Sequence, residues 1–257
     1  MRDVTGSNGT GDEGWVDLAR NLPGIEVTPE EARRRAEEAG RDPSSPHKSD
    51  SKSAIGDLLA TLTEPSRWDR WRGRTTGWFV LHSVPLGDGS GGISTSVDHL
   101  VVGPPGVMIV NSEDYRPVKR APGDWTPDVW VRIHRDGLEV DGHQTEYMLK
   151  VRREALRVAG FLLQALVPDR PDLVGRVPVQ SVVVIVGGQF VVGTQPSRVT
   201  MLRSIKLLDT LRGFPAVLDH EKAAAVYAIA RRAATWNPIG WCLDSMGPGP
   251  DRRRSGR

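Results

Sequence analysis

Three polar side chains stand at the ends of two apolar strands in the segment VDHLVVGPPGVMIVNSEDY, residues 97–115. Asp98 opens the first strand, and Asn111 and Glu113 close the second, after a Gly-Pro-Pro-Gly turn. If the hairpin turns at the centre of that tetrapeptide, Asp98 lies opposite Asn111, and opposed residues share a face of the sheet. Because side chains alternate along a strand, Glu113 points to the same face as Asn111. The sequence therefore predicts that these three side chains converge at one end of one face.

Carboxylate and amide oxygens in such an arrangement are the ligands that Mg²⁺ prefers. The alternative is that the three residues are solvated strand ends, because acids and amides are common where strands end and turns begin. A register slip of one residue would move one strand's side chains to the other face and separate the three groups. Spacing alone leaves both interpretations open.

Composition limits the function classes only weakly. The chain has 257 residues and a formal net charge of +2, which neither argues for a nucleic-acid partner nor excludes one. A single cysteine, Cys242, rules out an intramolecular disulfide framework and fits a reducing cytoplasm. The first residues contain no apolar core and no stretch of 18 consecutive apolar residues follows, so we expect neither a secretory signal nor a membrane span.

The hydrophobic content of 38% is low for a compact enzyme, and the deficit lies at the two ends of the chain. We expect residues 1–53 to be disordered or loosely helical, with 42–53 as a linker. Residues 54–236 are expected to form one α/β domain, and 237–257 a flexible basic tail.

The predicted elements follow the order helix, strand, hairpin, hairpin, helix, strand, helix, helix, which indicates a mixed central β-sheet flanked by helices. The strongest helix covers 146–167 and carries an apolar stripe beside a basic one. The β-branched run 177–188 is typical of a strand covered on both faces. A second hairpin is expected to turn at Asp136-Gly137, and Asp219 is expected to cap the last long helix.

The segment GWFVLHSVPL, the hairpin that follows it and Gln144 ahead of the long helix resemble the nuclease-related domain in its actinobacterial form. That family is similar in fold to the PD-(D/E)xK nucleases, and the resemblance covers residues 54–220. Its most specific part is the Asp-His run that leads into Gly-Pro-Pro-Gly. The resemblance implies an αβββαβ, restriction-endonuclease-like core, with an Asp on the second strand and an acid-x-Lys motif on the third.

Carried onto this chain, the family's Asp falls on Asp98, and the acid or Asn of the acid-x-Lys motif falls on Asn111. The lysine falls on Glu113, which is a departure. A Gln-bearing motif before the helix falls on Gln144. The family's first-helix Glu has no clean match, and the apolar spacing puts Lys52 at that point.

The resemblance implies a metal-dependent nuclease-like domain that acts on or binds DNA. In that interpretation Asp98 and Glu113 hold Mg²⁺ or Mn²⁺, Asn111 assists, and Gln144 orients phosphate or water. No membrane partner is expected.

The departure at Glu113 predicts weakened catalysis, because a carboxylate cannot offset the charge that develops on the phosphate. Lys119 and Lys150 are the nearest candidates for a relocated cation, although solvated surface is the more common state of such residues. A second hypothesis stays open, a catalytically degenerate module that binds nucleic acid or a protein partner.

Overall fold

A computed structural model of the chain describes residues 46–65, 71, 76–88, 93–116, 119–121, 124–125, 129–135 and 137–237. The helices are α1 (Pro46–Thr63), α2 (Tyr147–Asp169), α3 (Leu207–Gly213), α4 (His220–Ala230) and α5 (Ala233–Trp236). The strands are β1 (Phe79–Gly87), β2 (Ile93–Gly103), β3 (Gly106–Tyr115), β4 (Lys119–Ala121), β5 (Asp124–Trp125), β6 (Trp130–His134), β7 (Gly137–Val140), β8 (His143–Thr145), β9 (Val179–Gly187), β10 (Gln189–Val192) and β11 (Val199–Arg203). The fold is α/β, as predicted.

The central sheet has the strand order β1-β2-β3-β9-β11. β1, β2 and β3 form an antiparallel meander, and β9 and β11 join it in parallel. In the β2–β3 hairpin Leu100 pairs with Ile109 and Val102 with Val107. The predicted register is therefore confirmed, and the strand predicted within 177–188 forms and joins the central sheet.

The turn between β2 and β3 depends on Gly106. This residue has φ +118°, and a Cβ built there would lie 2.5 Å from the carbonyl oxygen of Pro178. The Val107 amide donates to the same carbonyl at 2.9 Å. Glycine is needed because the turn conformation and the close approach of β9 both exclude a side chain.

Each face of the central sheet is covered by its own apolar cluster. Leu100 and Ile109 pack with Phe161 of α2 on one face. Val101 and Met108, which alternate with them, pack against α1 on the other. The alternation therefore buries the apolar residues of the hairpin on both faces of the sheet.

The predicted hairpin at residues 130–142 forms, but it lies in a second sheet with the order β10-β6-β7-β8. β10 follows β9 almost directly and pairs in parallel with β6. The strands β8 and β10 and the small β4–β5 pair were not predicted from the sequence. The turn residue Asp136 itself lies outside the described residues.

Two predicted boundaries are wrong. Residues 42–53 were expected to be a linker, yet α1 begins at Pro46 and Ser51 is buried. The segment HEKAAAVYAIARRAATW predicts one helix over 220–236, yet α4 ends at Ala230 and α5 follows after a break. The indole of Trp236 folds back to donate to the Ala230 carbonyl at 2.6 Å, which satisfies a group that the broken helix leaves unpaired.

The Asp219 cap is confirmed, since its carboxylate accepts from the Lys222 amide at 2.8 Å. Among the helices of the described residues, none combines the length and the apolarity that crossing a bilayer requires. The expectations for residues 1–45, for Cys242 and for the tail after 237 lie outside the described residues.

Candidate functional site

β2 and β3 stop pairing through their backbones where the predicted polar residues begin. The last backbone pair is His99 with Val110. Beyond it, the Asp98 amide donates to Asn111 Oδ1 at 3.1 Å, and the Ser112 amide donates to Asp98 Oδ2 at 2.8 Å. Side-chain oxygens thus replace backbone carbonyls as acceptors. Asp98 and Asn111 are adjacent, as the hairpin register predicted.

The Asp98 carboxylate is buried and both of its oxygens are engaged. Oδ2 also accepts from the Ser112 hydroxyl at 3.1 Å, and Oδ1 lies 3.0 Å from the Lys52 ammonium. Burial disfavours the charged carboxylate, but the Lys52 charge and the Ser112 amide outweigh it and hold the pKa of Asp98 below its usual range. Asp98 is therefore ionised, and the Lys52 ammonium balances its charge.

Lys52 comes from α1, and the side chains of this ion pair are only 13% (Lys52) and 11% (Asp98) exposed. The sequence places Lys52 where the family resemblance implies a Glu, but it does not predict a role for the lysine. The available signal was its spacing, because Lys52 lies one turn before Ile55 and two turns before Leu59 on the buried stripe of α1. A cation thus stands where the resemblance predicts an acid.

Glu154 of α2 is the functional candidate that sequence reasoning missed. It is 3% exposed, and its Oε2 accepts from Asn111 Nδ2 at 2.8 Å. Burial raises the pKa of Glu154, while Lys150, 3.8 Å away, and the Asn111 amide act in the opposite direction. The sequence feature that could have indicated Glu154 is a charged residue within the apolar stripe of α2, between Val151 and Val158. Asn111 therefore links α2 to the strand end that carries Asp98.

Glu113 lies two residues beyond Asn111 and is partly exposed. Burial and the charges of Glu113, Asp98 and Glu154 raise the pKa of the Tyr147 phenol well above its usual range. The Tyr147 phenol thus experiences the charges of all three carboxylates.

Gln144, by contrast, is exposed on β8 of the second sheet, opposite Glu139. Among the described residues, no hydrogen bond joins it to the other predicted site residues.

A groove of about 550 Å³ opens along α2 beside this cluster. It is lined by polar residues of β2, of α2 and of the α2 N-cap, namely Ser94, Thr95, Glu146, Tyr147, Lys150, Arg153, Glu154 and Arg157, together with Leu149. The Arg157 guanidinium donates to the Ser94 hydroxyl. Cationic side chains therefore line a groove that also contains the buried Glu154 carboxylate.

Residues 65–186 match the family model of the nuclease-related domain, NERD. The match agrees with the resemblance found in the hairpin sequence and includes Asp98, Asn111, Glu113 and Glu154. Lys52 and the whole of α1 precede the matched residues. No curated protein and no solved structure matches the chain. The likeness to PD-(D/E)xK nucleases and the actinobacterial form stay predictions.

Asp98 and Glu113 were predicted, from the family resemblance, to hold Mg²⁺ or Mn²⁺. The arrangement does not fit that role, because the Asp98 carboxylate is already bonded by Ser112 and neutralised by Lys52. Among the described residues, no three acids, histidines or cysteines gather closely enough to ligate an ion. Metal binding by the native chain stays a prediction without support from the donor geometry.

The relocated cations considered from the sequence were Lys119 and Lys150. The side chain of Lys119 lies outside the described residues, and Lys150 is half exposed beside Glu154. The cation on Asp98 is Lys52 instead.

Proposed function

We propose that this nuclease-related domain binds the phosphodiester backbone of DNA in the groove along α2 and cleaves it slowly or not at all. The observation that carries the proposal is that Lys150, Arg153 and Arg157 line the same groove as Glu154. Glu154 is hydrogen-bonded to Asn111, so the groove adjoins the strand end that the family resemblance associates with phosphodiester chemistry.

The cations account for binding. Lys and Arg side chains that neutralise phosphates release condensed counterions, which supplies sequence-independent affinity for DNA. The spacing of Lys150, Arg153 and Arg157 puts them on neighbouring turns of one helix face. A groove with this rim suits a backbone that carries regularly spaced phosphates. Contacts of this kind position the protein on the DNA but do not distinguish base sequences.

The acids account for weak cleavage. A divalent ion in such a site polarises the phosphate and lowers the pKa of a bound water. Asp98 is neutralised by Lys52, and Glu113 brings negative charge to the position where the resemblance expects a lysine. The neutralisation of Asp98 opposes recruitment of an ion, and the negative charge of Glu113 opposes stabilisation of the charge on the reacting phosphate.

The test compares two neighbouring arginines of α2. Arg153 lines the groove, whereas Arg152 is also exposed but does not line it. In fluorescence anisotropy with duplex and single-stranded DNA, Arg153→Gln should weaken binding by about three- to tenfold and lower the salt dependence by about one ion. Arg152→Gln should change affinity by less than about twofold. Equal effects of the two substitutions would mean that DNA does not lie in the groove.

A second candidate function, docking of a helical protein partner, is favoured by one observation. Leu149, Leu156, Leu163 and Val167 of α2 are 40–56% exposed and recur mainly at intervals of seven residues. Apolar residues at that spacing form the seam along which helices pair. Sedimentation equilibrium of the native chain and of Leu156→Lys tests the simplest case, in which the partner is a second copy; two monomeric proteins would remove this case.

A further inference from the structure

We infer that the Lys52 ammonium takes the place of a divalent cation on Asp98. The native chain therefore holds no divalent ion at Asp98 and binds one there only when Lys52 is removed. The inference concerns cation occupancy at the strand end. It goes beyond DNA binding in the groove and does not depend on it.

The contacts of Asp98 are those of an acid whose cation is already present. One carboxylate oxygen lies 3.0 Å from the Lys52 ammonium. The other accepts from the amide and the hydroxyl of Ser112, at 2.8 and 3.1 Å. With both side chains almost fully shielded from water, little solvent screens the interaction.

A divalent ion would compete with Lys52 for the same oxygen. An ion bonded to Asp98 Oδ1 at the usual distance of about 2.1 Å would stand within about 5 Å of the ammonium. Two like charges that close repel strongly in a buried environment. An ammonium also needs no closed set of oxygen ligands, which agrees with the absence of a ligand cluster among the described residues.

Removing Lys52 reverses the balance of charge. Glu154 is joined through Asn111 to the Asp98 amide, and Glu113 lies two residues beyond Asn111 on the same strand. Without the ammonium the buried Asp98 carboxylate loses its paired cation, while Glu113 stays partly exposed. A hard divalent cation needs only one or two carboxylates there, because it keeps several waters in its coordination shell.

The test is a titration with Mn²⁺ alone, followed through the electron paramagnetic resonance signal of the free ion. The proteins are the native chain, Asp98→Asn, Lys52→Met, Lys52→Arg and the double variant Lys52→Met/Asp98→Asn. We expect Lys52→Met to bind Mn²⁺ at least about tenfold more tightly than the native chain. The gain should vanish in the double variant, and Lys52→Arg, which keeps the charge, should behave like the native chain.

Two results would overturn the inference. One is native binding of Mn²⁺ that is clearly tighter than that of Asp98→Asn, which would show that Lys52 does not exclude the ion. The other is a folded Lys52→Met protein, checked by circular dichroism, that gains no affinity. If Lys52→Met does not fold, the comparison of the native chain with Asp98→Asn still decides the question. DNA affinity, measured on the same proteins, reports separately on the proposed function.

Discussion

Placing an acid at residue 111, where the family motif has an acid or Asn, should destabilise this chain rather than activate it. Asn111 Nδ2 donates to Glu154 Oε2 at 2.8 Å, while Asn111 Oδ1 accepts from the Asp98 amide. Asn111→Asp keeps the acceptor but replaces the donor with a second carboxylate oxygen facing Glu154. Both positions are buried, so water cannot take the place of the lost donor.

The magnitude follows from the contact that is lost. A hydrogen bond to a charged group contributes about 1.5–3 kcal/mol, and an unsatisfied buried group adds a desolvation cost of similar size. Two carboxylates at this distance do not both ionise, and the pair keeps one proton. We therefore expect the free energy of unfolding of Asn111→Asp at neutral pH to fall by about 3 kcal/mol.

The loss should depend on pH. Asn111→Asp places a new carboxyl beside that of Glu154, and one of the two will have a pKa above its value in the unfolded chain. The folded state then binds more protons than the unfolded state, so stability falls as pH rises through that window. Urea unfolding of Asn111→Asp should show a smaller deficit, relative to the native chain, near pH 5 than near pH 7.5.

The control is Asn111→Asp combined with Glu154→Gln. This double variant has one carboxylate and an amide that can donate to it, and it should recover most of the lost stability at neutral pH. If Asn111→Asp alone is as stable as the native chain at both pH values, the Asn111–Glu154 contact does not hold the strand end to α2. The description of Asn111 as the residue that links α2 to the Asp98 strand end would then be wrong.

Three further changes test separate parts of the structure. Because burial raises the pKa of Glu154, native stability should fall as pH rises above the usual carboxyl range, and Glu154→Gln should flatten that dependence in urea unfolding at several pH values. Gly106→Ala should cost roughly 3 kcal/mol in the same assay, because φ +118° and the Pro178 carbonyl both exclude a methyl group; a cost below about 1 kcal/mol would contradict the turn geometry. Glu113→Lys should raise DNA affinity by about three- to tenfold at low salt, measured by anisotropy, and unchanged affinity would place Glu113 away from the bound DNA.

The hairpin was predictable from the sequence because two local rules agree there. The Gly-Pro-Pro-Gly turn fixes the register, and the alternation of buried side chains allows only one face for Asp98 and Asn111. The Asp219 cap was predictable for the same reason, since an acid before a helix satisfies the first amides locally.

The start of α1 and the role of Glu154 were not predictable, because they depend on contacts between residues that are far apart in the sequence. The first half of α1 is polar, so its sequence predicts a linker. Its helix is stabilised by the tertiary contacts of residues such as Ser51 and Lys52 rather than by intrinsic helix propensity. Glu154 is hidden for the same reason, because a carboxylate in an apolar stripe becomes meaningful only when its partner, Asn111, is known. The short strands β8 and β10 carry too few residues for a periodic signal.

The central claim, binding of DNA without rapid cleavage, is tested most directly by incubating the native chain with supercoiled plasmid across a titration of Mg²⁺ and Mn²⁺. Retention of the plasmid in a gel-shift assay should be read in parallel, with Asp98→Asn as the matched control. We expect the native chain to retard the plasmid and to leave most of it intact at every metal concentration. Rapid metal-dependent nicking by the native chain that disappears in Asp98→Asn would contradict the claim, because Asp98 would then serve catalysis despite its pairing with Lys52.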